Sequence, residues 1–155
     1  MTHVPHTEVT LEESPGRTYF EDLAVGDRSP EIDIEDVKVT DFVRYAGASG
    51  DFNPLHHDHG FTTDAGYDGV FAMGMFNAGL LTNVVTEWLS LSTITAYRTQ
   101  FDSIVWPGDD LTGYAEVAET DPDESTVTCD LLMENQDGEQ VISGTVRAEL
   151  PHSPD

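Results

Sequence analysis

The run Ser49-Gly50-Asp51-Phe52-Asn53-Pro54-Leu55-His56 sets a carboxylate and an imidazole five residues apart. A carboxylate and a neutral histidine can hold one water between them. One takes a proton from it while the other delivers a proton to the substrate. The local sequence favours their convergence. Gly50 frees the backbone just before Asp51. Pro54 fixes its own φ and pushes Asn53 into extended geometry, so the chain can fold back on itself. Asn53 can tie down the loop or orient a catalytic group. Read singly, Asp51 would be a helix or turn cap and His56 a satisfied core histidine. Read together, the run points to acid-base chemistry on one water.

Other chemistries find less support. His56-His57-Asp58-His59 is dense in metal-ligand types, with Asp51 and Asp64 near in sequence, but no second ligand cluster exists to complete a site. No metal and no cofactor are expected, and His57 and His59 read as solvent-facing or structural. No Gly-x-Ser-x-Gly elbow supports a serine triad. Cys129, the single cysteine, excludes an internal disulfide and reads as a buried core thiol. His3 and His6 belong to a polar N-terminal stretch and read as solvated.

The elements that must position Asp51 and His56 follow from periodicity. Ser29 to Val39 alternates as a strand would. Thr40 can cap a short helix from Asp41 to about Ala48, with Gly47 and Gly50 as its exit. Asp58 to Asp68 reads as a short helix plus loop. Met73 to Leu89 reads as a helix about 24 Å long. It is apolar around most of its girth, which is the mark of a helix surrounded by other structure. Thr93 to Phe101 is strand-like, and Trp106-Pro-Gly-Asp-Asp110 makes a turn. Alternation then recurs at Leu111–Val117, Val127–Met133 and Ile142–Leu150, with Asp137-Gly138 as a hairpin turn. A buried helix followed by an antiparallel meander makes an α+β domain with the sheet wrapped round the helix. The divisions are a loose tail over 1–18, one domain over 19–150 and a loose tail over 151–155.

Thirty acidic residues face six basic ones, and Lys38 is the only lysine. Such a surface repels nucleic acid. The acids recur along most of the chain and thin out between Gly69 and Phe101, where Glu87 stands alone. Self-repulsion of this size destabilises a compact state in dilute buffer. Molar salt shortens the Debye length to about 3 Å and removes most of that penalty. A halophilic cytoplasm is the expected setting. No basic-then-apolar leader opens the chain. Asn77, Thr82, Asn83, Thr86 and Glu87 interrupt the longest apolar run, so no membrane span is expected.

The Asp51-to-His56 run resembles the signature of MaoC-like dehydratases and (R)-specific enoyl-CoA hydratases, which have the hot-dog fold. Further pieces are similar to that family: Tyr19-Phe20-Glu21-Asp22-Leu23 with Val25-Gly26-Asp27; Met73-Gly74-Met75 at the start of the central helix; Arg98 to Phe101 with Val105-Trp-Pro-Gly-Asp109; and Asn135-Gln-Asp-Gly138 through Gly144. The likeness runs from about Tyr19 to Leu150. It implies a five-stranded antiparallel sheet around a long helix, paired into a homodimer, and reversible syn hydration of a trans-2-enoyl-CoA to the (R)-3-hydroxyacyl-CoA. It implies that Asp51 and His56 bind the catalytic water, with Asn53 supporting. It also implies that the Gly74 N–H polarises the thioester carbonyl, a role suited to the positive end of a helix. Met73 stands where the family usually has histidine, which affects pocket shape more than the backbone donor. Thr82, about two turns into the helix, is placed to touch the acyl group or simply to pack. Lys38, Arg44, Arg98 and Arg147 are candidates for pairing with CoA phosphates. Acyl-CoA is favoured over an acyl carrier protein, itself acidic. Within the same fold, a non-catalytic acyl-thioester-binding protein and a thioesterase are the alternatives, and the presence of both Asp51 and His56 argues against each.

Overall fold

The computed structural model describes residues 18–154; the expected N-terminal tail, with His3 and His6, lies outside them apart from Thr18. In chain order the elements are β1 (Ile32–Ile34), α1 (Val39–Ser49), α2 (His59–Asp64), α3 (Gly74–Leu89), β2 (Ile94–Phe101), β3 (Leu111–Asp121), β4 (Thr126–Asn135) and β5 (Gln140–Glu149). A single turn of 3-10 helix, Pro54–His56, precedes α2. The strands form one antiparallel sheet in the order β1-β3-β4-β5-β2. It is the hot-dog arrangement, an α+β fold in which the sheet packs around α3.

Alternation decides which side chains meet the helix. Leu111, Ala115 and Val117 of β3, Val127, Cys129, Leu131 and Met133 of β4, and Ile142, Val146 and Ala148 of β5 are buried. From α3 they receive Ala78, Leu81, Val84, Val85 and Leu89, and from α1 Phe42 and Ala46. Gly113 gives β3 room: a Cβ there would lie 2.9 Å from the Met133 methyl.

Four expectations need correction. The strand over Ser29–Val39 shrinks to Ile32–Ile34, joined to β3 through Ile32↔Gly113 and Ile34↔Leu111. Pro30 has no N–H to give a ladder. Asp36 turns at φ 52°, its N–H held by Asp110 Oδ1 at 2.7 Å. In α1 the capping residue is Lys38 and not Thr40, because the Asp41 carboxylate reaches back to accept from the Lys38 N–H at 3.0 Å. Gly47 lies within α1, and the exit is Gly50 alone, at φ 80° with its N–H on the Ala46 carbonyl. The C-terminal segment is docked, not loose. The Phe20 N–H donates to the Pro151 carbonyl at 2.9 Å, and His152 bonds both Glu21 and Ser125. The hydrogen bond with His152, helped by backbone N–H groups at Glu21 and Ser153, holds the Glu21 carboxyl below its ordinary range. The β4–β5 turn does contain Gly138 with positive φ, and the Asn135 side chain holds it by accepting from the Asp137 and Glu139 N–H groups. No helix among the described residues is long and apolar enough to cross a membrane.

Candidate active site

α1 delivers the chain to the site. Gly50, in the left-handed region, lets the backbone leave the helix and swing directly into Asp51. Asn53 then caps the next turn: its Oδ1 accepts from the Leu55 N–H at 3.1 Å, with Pro54 at the first helical position. Asn53 thus ties the loop down, one of the two roles its position allowed. Asp51 Oδ1 accepts from the Asn53 N–H at 3.3 Å, so the loop is internally cross-linked.

His56 and Asp51 come together. Nε2 of His56 lies 4.0 Å from Asp51 Oδ2. The imidazole side chain is only 10% exposed and the carboxylate 45%, so one partner is clamped and the other faces open solvent. Nδ1 of His56 is 2.8 Å from the Phe71 carbonyl. A carbonyl can only accept, so Nδ1 carries the hydrogen, and in the neutral imidazole Nε2 presents its lone pair on the side of Asp51. The Phe71 ring meets the imidazole edge-on at 5.4 Å. Phe71 itself packs on Tyr67 at 4.8 Å and Trp106 at 5.9 Å.

Two acceptors 4.0 Å apart suit one water. With water contacts of about 2.8 Å, they subtend about 90° at its oxygen, close to the angle between its two hydrogens. Both hydrogens of such a water would point to the pair, leaving its oxygen lone pairs directed away from it.

Gly74 opens α3. The Met73 carbonyl takes the Phe76 and Asn77 N–H groups at 3.0 and 3.3 Å. The N–H groups of Gly74 and Met75 have no acceptor among the described residues, as the first turn of a helix requires. The segment leading to them is braced, since the Ala72 N–H donates to the Val105 carbonyl at 2.9 Å. The Phe71 carbonyl that holds His56 lies three residues ahead of Gly74, so one short segment links imidazole and helix start. No hydrogen bond among the described residues joins Gly74 directly to Asp51 or His56. A Cβ on Gly74 would come within 3.0 Å of the Phe101 ring. Met73 is buried in the core.

Several supporting groups escaped sequence reading. Thr62 is fully buried, and its hydroxyl donates to the Asp58 and Leu55 carbonyls at 2.7 and 3.3 Å, welding α2 to the turn that carries His56. Only the position of Thr62 one turn after the Asp58 cap could have hinted at this. Asn77, one turn below Gly74, is buried, and its Oδ1 has no partner among the described residues. Thr82 donates to the Ala78 carbonyl of its own helix at 2.7 Å, and the Tyr97 hydroxyl donates to the same carbonyl at 2.9 Å. Burial raises the Tyr97 pKa, so that phenol stays a donor. His57 bonds the Phe52 carbonyl at 3.3 Å, and His59 begins α2. Among the described residues no group of His, Cys, Asp and Glu is arranged to hold a metal ion.

Comparison with known proteins follows the same lines. A family model described as "MaoC like domain" matches residues 24–147. An (R)-specific enoyl-CoA hydratase from Aeromonas caviae is 28% identical over 109 residues, covering 69% of this chain and 81% of that protein. A 3-hydroxybutyryl-CoA dehydratase from Methylorubrum extorquens is 33% identical over 107 residues, covering 68% of this chain and 67% of that protein. Among solved structures, an R-hydratase from Pseudomonas aeruginosa in its unliganded form superposes with a TM-score of 0.77. It is 27% identical, over 87% of this chain and 86% of that one.

Proposed function

The chain belongs to the MaoC-like family, and from that premise we propose that it is a hydro-lyase adding water reversibly to trans-2-enoyl-CoA to give (R)-3-hydroxyacyl-CoA. The observation that carries this reading is the His56–Asp51 pair: an imidazole whose Nδ1 is committed to a carbonyl, with its Nε2 lone pair 4.0 Å from a carboxylate oxygen. That arrangement holds a water by both hydrogens and leaves its oxygen free to attack.

In the hydration direction the water oxygen bonds to C3 and the C2=C3 π bond breaks. Its electrons pass to the thioester oxygen, where the Gly74 N–H and the positive end of α3 stabilise the enolate. The pair takes one water proton and returns one to C2 on the same face, so the sum is one water added syn. The chemistry needs no metal and no cofactor in this reading, because two side chains and one amide supply every proton and charge. The 45% exposure of Asp51 leaves the water replaceable from solvent.

The reading extends to the molecule's setting. Phe52, Met75 and Phe101 are 66%, 61% and 52% exposed beside Asp51 and Gly74, which supports a homodimer that covers this rim. The net charge of −24 supports a halophilic cytoplasm.

Crotonyl-CoA tests the function. Loss of enoyl-thioester absorbance without release of free thiol supports the hydratase. Release of stoichiometric thiol identifies a thioesterase, and binding without either change identifies an acyl-thioester-binding protein.

A further inference from the structure

Two flanks of α3 are filled and a third is open. Phe76 meets the ring edges of Phe42 and Tyr45 from α1, each at 5.7 Å. Asn77, Ala78 and Leu81 are buried toward the sheet. Met75, Gly79 and Thr82, spaced i, i+4 and i+7, share the remaining flank. Met75 is exposed there, Thr82 is half-buried, and a Cβ on Gly79 would meet nothing within 4 Å.

β2 passes along the inner side of this open flank. Tyr97 and Phe101 stand four residues apart on the strand, so alternation turns both toward α3. The Phe101 ring lies against Gly74. The Tyr97 hydroxyl donates to the Ala78 carbonyl at 2.9 Å. These two contacts set β2 antiparallel to α3, with Phe101 at the helix start and Tyr97 one turn further in. The seam between helix and strand therefore begins at Gly74 and meets Tyr97 four helical residues later, about 6 Å along the axis.

Tyr97 is held as a fixed wall. Its hydroxyl is tied to a carbonyl that also takes the Thr82 hydroxyl at 2.7 Å. With its polar tip satisfied, the half-buried ring offers apolar carbon to whatever lies in the seam. Thr82 lies a further turn along α3, beyond the ring. A thioester with its carbonyl at Gly74 would send its acyl chain down the open seam toward this ring. At about 1.3 Å of advance per carbon, the seam holds an acyl chain of about four to six carbons.

We propose that Tyr97 is the end wall of the acyl site and makes this chain selective for short enoyl thioesters. The proposal rests on the hydratase reading, which supplies the thioester and places its carbonyl at Gly74. A homodimer that covers Met75 and Phe101 would roof the seam and leave its end at Tyr97 unchanged.

The test compares crotonyl-CoA with trans-2-octenoyl-CoA in wild type, Tyr97→Phe and Tyr97→Val. The readout is the ratio of the two kcat/KM values within one preparation, which does not depend on the fraction folded. Wild type should prefer crotonyl-CoA by at least about tenfold, the scale on which a pocket discriminates even one methylene. Tyr97→Val keeps a strand-forming residue and removes the ring, and it should shrink that preference at least about tenfold. Tyr97→Phe keeps the ring and should keep most of the preference. A wild type that hydrates both thioesters equally, or a preference unchanged in Tyr97→Val, overturns the proposal. If wild type hydrates neither thioester, the hydratase reading fails. Titration of butyryl-CoA and octanoyl-CoA into wild type and Tyr97→Val then decides the wall by itself: octanoyl-CoA gaining affinity relative to butyryl-CoA in the variant supports it, and an unchanged ratio overturns it.

Discussion

Replacing Asp51 by Asn separates chemistry from folding. The side chain is 45% exposed, and among the described residues its one intramolecular role beyond the His56 contact is a 3.3 Å bond from the Asn53 N–H to Oδ1. Asparagine keeps an oxygen for that bond. The change in folding free energy should stay within about 0.5 kcal/mol, which moves Tm by about 2 °C or less in a chain of this size. Turnover should respond far more. In the proposed mechanism the carboxylate accepts one hydrogen of the water and balances the charge that His56 gains on taking the other. An amide turned with its NH2 inward donates where the water needs an acceptor, and it supplies no charge. Removing one member of an acid-base pair costs about 10²–10⁴ in rate, which is about 2.7–5.4 kcal/mol of transition-state stabilisation. The assay is kcat/KM for crotonyl-CoA beside a thermal melt of the same preparation. An Asp51→Asn variant within tenfold of wild type would refute the reasoning. The double variant Asp51→Asn/His56→Ala sharpens the test, because residues sharing one water lose function together. It should be about as slow as the slower single variant, and fully additive losses would contradict a shared water.

Other consequences are open to direct measurement. Burial pushes the Cys129 thiol up to about 12, so a thiol reagent at pH 8 should label the protein only on unfolding; stoichiometric labelling of the native state would contradict its place in the core. For Asp102, burial acts to raise the pKa, but the bonds from Ser143, Gln140 and Gln100 outweigh it and leave the pKa below the ordinary 3.8. A depressed carboxyl stabilises the fold above its ordinary value, and that contribution is lost as pH falls through the folded value. Asp102→Asn should therefore melt below wild type at pH 7, with the gap closing toward pH 3. A gap independent of pH would remove the charge from the explanation. A Cβ at Gly144 would stand 2.2 Å from the Arg98 carbonyl oxygen, so Gly144→Ala must shift backbone. It should lose about 1–3 kcal/mol or more, and an unchanged Tm would deny the close approach. With a net charge of −24, the protein should melt higher in molar KCl than in dilute buffer; the reverse order would argue against the halophilic setting.

The helix and the meander were legible because their signals are repetitive. α3 runs Gly74–Leu89, within one residue of the expected Met73–Leu89, with Met73 as its N-cap, and β3 to β5 follow their alternation. The convergence of Asp51 and His56 was legible too, since Gly50, Asn53 and Pro54 enforce it locally. What failed depended on partners distant in sequence. The alternation of Ser29–Val39 could not show that Asp110 would capture the Asp36 N–H and stop the strand. The Thr40 cap lost to an Asp41 carboxylate reaching backward, a competition that residue type alone does not decide. The docking of His152 on Glu21 spans nearly the whole chain, so the terminus read as loose. The tautomer of His56 depends on a backbone carbonyl, Phe71, which carries no side-chain signature at all.

In the proposed mechanism one water, held by Asp51 and His56, adds to a single face of an enoyl thioester. The most direct measurement is hydration of crotonyl-CoA in deuterium oxide at molar KCl, with the configuration at C3 and the position of deuterium at C2 both determined. The expected product is (R)-3-hydroxybutyryl-CoA carrying deuterium on the face that received the hydroxyl, with product formation falling at least about a hundredfold in Asp51→Asn. An (S) product, or deuterium on the opposite face, would contradict it.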